Sequence, residues 1–273
     1  MDGNVTVKDD RLIGDGVTQE ESPNHGGAMA PKYLIIHYTA APSMDSAVKH
    51  FRDPIAKASA HVVIGRDGAV CQMVPFNVVA WHAGISTWNG IQGLNRCSIG
   101  IELDNPGRLT EVGGELQAWF GRRYPTNEAV HVRHKNETEP AWWPIYPEAQ
   151  LSALRAVASA LVSSYRLSDI LGHEDIAPGR KSDPGPAFPM ASFKAALLGR
   201  QADTAATWRV AASHLNMRRG PGTEFPPVRE ALVEGTRLVQ LDATSTWMKV
   251  ALAQDQATQG WVNAKYLEHE SEG

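Results

Sequence analysis

Cysteine is scarce. Cys71 and Cys97 are the only two in 273 residues, too few for a disulfide framework. Both sit in apolar, strand-like stretches and read as buried free thiols rather than a bridge. Long apolar runs are missing as well. None approaches the roughly 18 residues that a membrane-crossing helix needs. Charge of one sign is not in excess: the net charge is −4, which gives no global signal for nucleic acid. The first 30 residues carry no apolar core of a secretory signal. That leaves a cytoplasmic start, an unusual export route or a leader already trimmed. Internal repeats and low-complexity tracts are absent too. What is present is 42% hydrophobic residues, enough for one medium domain and a second small one.

Residues 1–30 are mixed polar and Gly-rich, and predict a poorly ordered tail. Tyr33 to Tyr38 (YLIIHY) reads as a buried strand ending in His37 and Tyr38. A short helix is predicted over Met44 to Phe51, stopped by Asp53-Pro54. Two strand-like runs, His61–Ile64 and Ala69–Val74, flank the Asp67-Gly68 turn and predict a hairpin. Ser98 to Leu103 is another strand. Residues 104–147 lose clean periodicity and predict a long insertion covering a groove. Leu151, Leu154, Val157, Ala158, Leu161 and Val162 mark one face of an amphipathic helix. A last helix is expected from Met190 to Leu198. Alternating strands and helices give an α/β class domain, a mixed β-sheet flanked by helices, over 31–199. An Ala-rich linker follows at 200–207. Short strands among turn residues over 208–268 then predict a small all-β barrel.

The segment from His173 to Pro186 concentrates chemistry. Three prolines and two glycines there forbid a continuous helix and predict an ordered loop. His173 and Asp183 are ten positions apart, too far for one helical face but within reach of a folded loop. Among ten histidines, His37 and His173 are distinguished by following apolar runs, at strand ends where sheets present functional groups. With Asp183 they make a two-His, one-carboxylate set, which suits a catalytic zinc with an open position. A rigid surface loop with ordinary charges is the plain alternative. Glu102, among Ile99, Ile101 and Leu103, is a candidate proton carrier whose apolar setting raises its pKa. Lys181 could support an oxyanion. Trp81 and His82, in a Gly-bounded loop, suit a ligand wall. His61 reads as a hydrogen-bonded core residue. His131 and His134 read as solvated or substrate-facing, and the tryptophans and tyrosines of the insertion as its own mini-core.

Taken together, GHEDIAPGRKSDPGPAF from Gly172 to Phe188, IIHYTA from Ile35, AWHAG from Ala80 and SIGIEL from Ser98 resemble the type 2 N-acetylmuramoyl-L-alanine amidases, the AmpD-like group related to peptidoglycan recognition proteins. The resemblance covers about 31–199. It implies Zn2+ held by His37, His173 and Asp183, catalytic positions at Glu102 and Lys181, and a substrate groove lined by Trp81, His82 and Arg180. It implies hydrolysis of the amide joining the lactyl group of N-acetylmuramic acid to L-alanine, in peptidoglycan or muropeptides. A non-catalytic peptidoglycan-binding protein and a zinc peptidase cutting within the stem peptide are the rival readings. LNMRRGPG from Leu215 and GWVNAKYL from Gly260 resemble a bacterial SH3 domain, which implies tethering to the wall. The cell envelope or periplasm is favoured by that module, with the cytoplasm left open.

Overall fold

The computed structural model describes residues 5–198, 207–243 and 246–269. The chain divides into two compact units, 1–190 and 191–273. In the first, a six-stranded sheet runs in the order Asp169–Gly172, Tyr33–Tyr38, Ser98–Leu103, Val62–Ile64, Val70–Gln72, Val17–Gln19. The first four strands are mutually parallel, Val62–Ile64 and Val70–Gln72 are antiparallel, and the last joins parallel, so the sheet is mixed as expected. Tyr33–Tyr38 lies in its interior, and its residues from Tyr33 to His37 are all buried. Such strands read as unbroken apolar runs because both faces are covered.

Register decides what the covering elements meet. His37 is paired with Glu102 and Ile35 with Gly100 across two parallel strands. Since side chains alternate with period two, His37, Glu102 and Val63 share one face. That face also holds Tyr33, Ile35 and Leu171, packed with Ala83, Leu94 and Ile176. Val63 and Cys71 meet Ala47 and Phe51 of the helix Met44–Arg52. Ser43 caps this helix through the Ser46 amide, with Ser46 returning the bond. The long helix Glu148–Tyr165 buries Leu154, Val157, Ala158 and Leu161, and Gln150 donates to the carbonyls of Ile64 and Asp104.

The amino-terminal segment is not the tail its composition predicts. Thr6–Lys8 pairs with Arg11–Ile13, Val17–Gln19 extends the main sheet, and His25–Ala28 pairs with Val78–Ala80. Leu12 is 1% exposed, and its amide donates to Gln72 Oε1 at 2.6 Å. Ser22 and Asn24 donate to the Phe51 carbonyl, and Asn24 to that of Asp53 as well. They satisfy acceptors that the end of a helix leaves open. Polar composition hid this role because these residues are ordered by hydrogen bonds more than by apolar burial.

The 104–147 insertion is built rather than irregular. Thr110–Val112, Glu115–Gln117 and Arg123–Tyr124 form a three-stranded sheet, and Ala129–Arg133 pairs with Pro140–Pro144. Leu109, Leu116 and Ala118 are buried with Phe120, Tyr124, Ala129 and Trp142 packed on them. This mini-core takes up Tyr124 and Trp142 as expected, while Trp119 is exposed and Trp143 and Tyr146 pack on His134 and Phe188 instead.

In the second unit, Met190–Leu198 is helical as its spacing predicts, with Phe193 its buried residue. The expected 200–207 linker lies, apart from Thr207, outside the described residues. An antiparallel five-stranded sheet then runs Asp255–Asn263, Trp247–Leu252, Arg237–Ala243, Thr207–Val210, Leu267–His269. Val210, Leu215, Met217, Leu232, Leu238, Val250 and Val262 form its core. Among the described residues it is a half-barrel with two edge strands, not a closed ring.

Leu12→Ala should cost about 2–5 kcal/mol, read by urea denaturation. An unchanged midpoint would return the segment to the status of a tail.

Candidate metal centre

Three acceptors meet at one point on the rim of the main sheet. His37 is the penultimate residue of Tyr33–Tyr38, and His173 follows directly on the neighbouring strand Asp169–Gly172. Asp183 returns to them from the Pro- and Gly-rich loop, where the Asp183 carbonyl accepts the Glu174 amide at 2.9 Å. His37 Nδ1, His173 Nδ1 and Asp183 Oδ2 are each 2.9 Å from the other two. All three residues are buried.

The protons on the far side of each ring say what this triangle needs. His173 Nε2 lies 3.1 Å from the Ala83 carbonyl, which can only accept, so the neutral ring carries its hydrogen there. His82 Nε2 donates in the same way to the Ser98 carbonyl at 3.2 Å. That leaves His82 Nδ1 as an acceptor, and it takes the hydrogen of His37 Nε2 at 3.0 Å. Both Nδ1 atoms therefore present lone pairs to the Asp183 carboxylate. Three acceptors at this spacing repel unless protons or a cation lie between them. Extra protons are disfavoured: burial, then the charge of His173, lowers His37 to about 4, although Asp183 pulls the other way. Burial would raise Asp183, but its contacts with His173 and His37 outweigh this and hold it below the usual carboxylate range. Two imidazole nitrogens and one carboxylate oxygen, their ligand atoms within 4.8 Å of one another, fit a divalent ion such as zinc.

His82 is thus not in the substrate wall that its loop suggested. It is 9% exposed and lies behind His37, where it fixes which nitrogen of that ring faces the centre. Gly100 makes this possible. A Cβ at that position would stand 2.4 Å from His82 Cγ, closer than van der Waals contact allows. An isolated glycine inside an apolar strand is a legible sign of such a close approach.

Glu102, beside His37 in the sheet, is 9% exposed, and its Oε2 has no hydrogen-bond partner. Burial, then the charge of Asp183, raises its pKa well above the ordinary value, while Lys181 opposes the shift. The same ammonium acts on His37, so Lys181 is near both groups. Arg180 is exposed, with Nη2 donating to the carbonyls of Ala83 and Ile85. Trp81 is half-buried, its indole against Gly26. His61 is the core residue expected: it accepts from the Gly100 amide and donates to the Val78 carbonyl.

Sequence reasoning missed two ties that hold the loop. Tyr38 Oη and Ser182 Oγ are 2.8 Å apart. His134, read as solvated or substrate-facing, is instead 1% exposed and bonded through Nε2 to Glu174 Oε2 at 2.5 Å. Lys135 adds ion pairs to Glu174 and Asp175. Nothing in the local spacing of His134 signals a partner 40 residues away. His131 is exposed and packs on Trp142.

Gly100→Ala should cost about 1–3 kcal/mol by overpacking and weaken zinc binding about 10–100-fold by displacing His82. Urea unfolding and a competitive zinc titration read the two effects. Zinc binding equal to wild type would remove the orienting role of His82. Acid should also weaken the metal-free fold. Burial lowers His61 to about 4, so the unfolded chain takes up a proton below 6.5 that the folded chain refuses until about 4. Stability falls through that window by about 3 kcal/mol from this ring. Chelator-treated His61→Gln should lose stability less steeply between pH 7 and 4.5 than wild type.

Residues 27–186 match the model of the N-acetylmuramoyl-L-alanine amidase family. Over 167 residues the chain is 35% identical to N-acetylmuramoyl-L-alanine amidase AmiD of Escherichia coli K12, covering 58% of this chain and 50% of that protein. It is 36% identical over 140 residues to 1,6-anhydro-N-acetylmuramyl-L-alanine amidase AmpD of the same organism, covering 50% and 57%. The chain thus spans about half the length of these relatives. A solved structure of the N-acetylmuramyl-L-alanine amidase AmiD from E. coli in complex with the substrate anhydro-N-acetylmuramic acid-L-Ala-D-gamma-Glu-L-Lys superimposes with a TM-score of 0.47 at 29% identity, covering 73% of this chain and 67% of that one. With more than half of its length matched by the family model, the chain belongs to the N-acetylmuramoyl-L-alanine amidase family.

Proposed function

We propose that this protein hydrolyses the amide between the lactyl group of N-acetylmuramic acid and L-alanine in peptidoglycan or muropeptides. The observation that carries the reading is the inward-facing triangle of His37 Nδ1, His173 Nδ1 and Asp183 Oδ2, with the unpartnered Glu102 carboxyl on the same face of the sheet. These three residues would hold zinc. Bound there, the ion would supply Lewis acidity for amide hydrolysis.

The chain's own groups account for the proton and the charge. Glu102 Oε2 takes the proton of the attacking water and returns it to the leaving amide nitrogen, which departs as an amine. Its raised pKa suits both halves of that transfer near neutrality, since a carboxyl held at its ordinary value would be a poor acid there. Lys181 supports the negative charge that develops on the carbonyl oxygen. Arg180 and Trp81 bound the groove, with Arg180 held against the 83–85 loop and available to an anionic stem peptide.

We further infer that the carboxy-terminal half-barrel is a bacterial SH3-like module that tethers the enzyme to the wall, which places its work in the cell envelope. The LNMRRGPG and GWVNAKYL segments support this. Both contribute to one core through Leu215, Met217 and Val262.

The test is mass analysis of muropeptide digests. Wild type should release a peptide with a free L-alanine amine, chelation should abolish release, and Glu102→Gln should lower kcat by about 10²–10⁴-fold. Cleavage between stem-peptide residues would favour the peptidase reading. Binding of muropeptides with no cleavage by zinc-loaded wild type would favour the recognition reading.

A further inference from the structure

Trp119 breaks the pattern of the insertion around it. Its neighbours Ala118 and Phe120 join the mini-core, yet Trp119 is 74% exposed. It occupies the first corner of the turn between Glu115–Gln117 and Arg123–Tyr124. Gly121 N–H closes that turn on the Ala118 carbonyl at 2.9 Å, with Gly121 at a φ of 91°. A bond from the Ala118 amide to the Arg122 carbonyl and one from Gln117 Nε2 to the Gly121 carbonyl brace it further.

The indole itself is fixed. Nε1 donates to the Ala40 carbonyl at 2.7 Å, and the Ala40 amide donates to Asn105. Ala40 stands three residues beyond His37 on the same chain, so its Cα lies within roughly 11 Å of that of His37, and the indole is tied to the segment that leaves the centre. Because its one polar atom is used, the ring offers only apolar surface. It also stacks edge-on with Phe120. A rigid, desolvation-ready aromatic beside a centre is the composition of a binding platform, since both χ angles are already fixed.

Charge separates the two flanks of the centre. On the His173 side, Arg180 is docked on the carbonyls of Ala83 and Ile85, and Ala83 also contacts His173. On the Ala40 side, where the strand bearing His37 has ended and the Ala40 amide meets the Asn105 carbonyl just past the strand bearing Glu102, Trp119 presents its aromatic face. The cations near it are engaged, Arg123 with Glu115 and Arg122 over the Phe120 ring. A substrate with an anionic peptide on one side of its scissile bond and a neutral sugar on the other matches that polarity.

We propose that Trp119 is the sugar platform of the site, receiving the apolar C–H face of the muramyl pyranose while the peptide runs toward Arg180. This rests on the amide-hydrolase reading above. Trp119→Ala should raise KM for N-acetylmuramoyl-peptide about 3- to 10-fold, with kcat within about twofold and an unchanged thermal midpoint. Trp119→Phe, which keeps a ring, should recover most of the loss. For the matching lactyl-peptide without the sugar, Trp119→Ala should equal wild type. An unchanged KM for the muramyl substrate would overturn the proposal, and so would an equal rise for both substrates, which would assign the ring to the peptide or to the fold. If wild type cleaves neither substrate, the hydrolase reading fails by itself. The platform is then judged by titrating N-acetylmuramic acid against intrinsic fluorescence: a change in wild type that Trp119→Phe reduces supports it, and equal responses overturn it.

Discussion

Repulsion among three like-natured atoms organises this molecule. Two imidazole lone pairs and a carboxylate oxygen are driven to one point, and each is held there by a hydrogen bond or a strand that faces the other way. The Ala83 and Ser98 carbonyls set the tautomers, and His82 transmits the second of these to His37. None of the three groups would rest there in water, where each would be solvated separately. A divalent cation held by the three would compensate that repulsion. All three residues fall within the 27–186 stretch that matches the family model.

Much of this was legible in the amino-acid order. The YLIIHY and SIGIEL strands were readable because buried parallel strands are apolar throughout, but the register that sets His37 beside Glu102 was not. The loop from Ala177 to Asp183 was readable because Pro and Gly forbid a continuous helix, whereas the single helical turn His173–Ile176 that precedes it was not. Side-chain direction was not. His82 reads as a groove residue from its glycine-bounded loop, and only the empty space above Gly100 shows that the ring turns inward. His134 was unreadable for a different reason. Its partner Glu174 comes from a segment distant in the chain, and a pairing of that kind leaves no periodic trace. The amino-terminal strands were missed because, apart from the buried Leu12, hydrogen bonding more than apolar content orders them.

The insertion works as a second scaffold rather than a cover. Its hairpin sends His134 and Lys135 to Glu174 and Asp175, directly beyond a residue of the triangle. Tyr38 reaches Ser182 from the central strand. The loop that delivers Asp183 is thus gripped at both ends by elements with cores of their own. Such outer support keeps a centre from relaxing when nothing occupies it.

The strand Val17–Gln19 has a wider effect than its three residues suggest. By lying parallel along Val70–Gln72 it occupies main-chain donors and acceptors that would otherwise line a free border of the sheet. An uncovered border is a template onto which a second molecule can add a strand. The leading segment therefore shifts that border onto Val17–Gln19 itself, a three-residue strand too short to template much pairing.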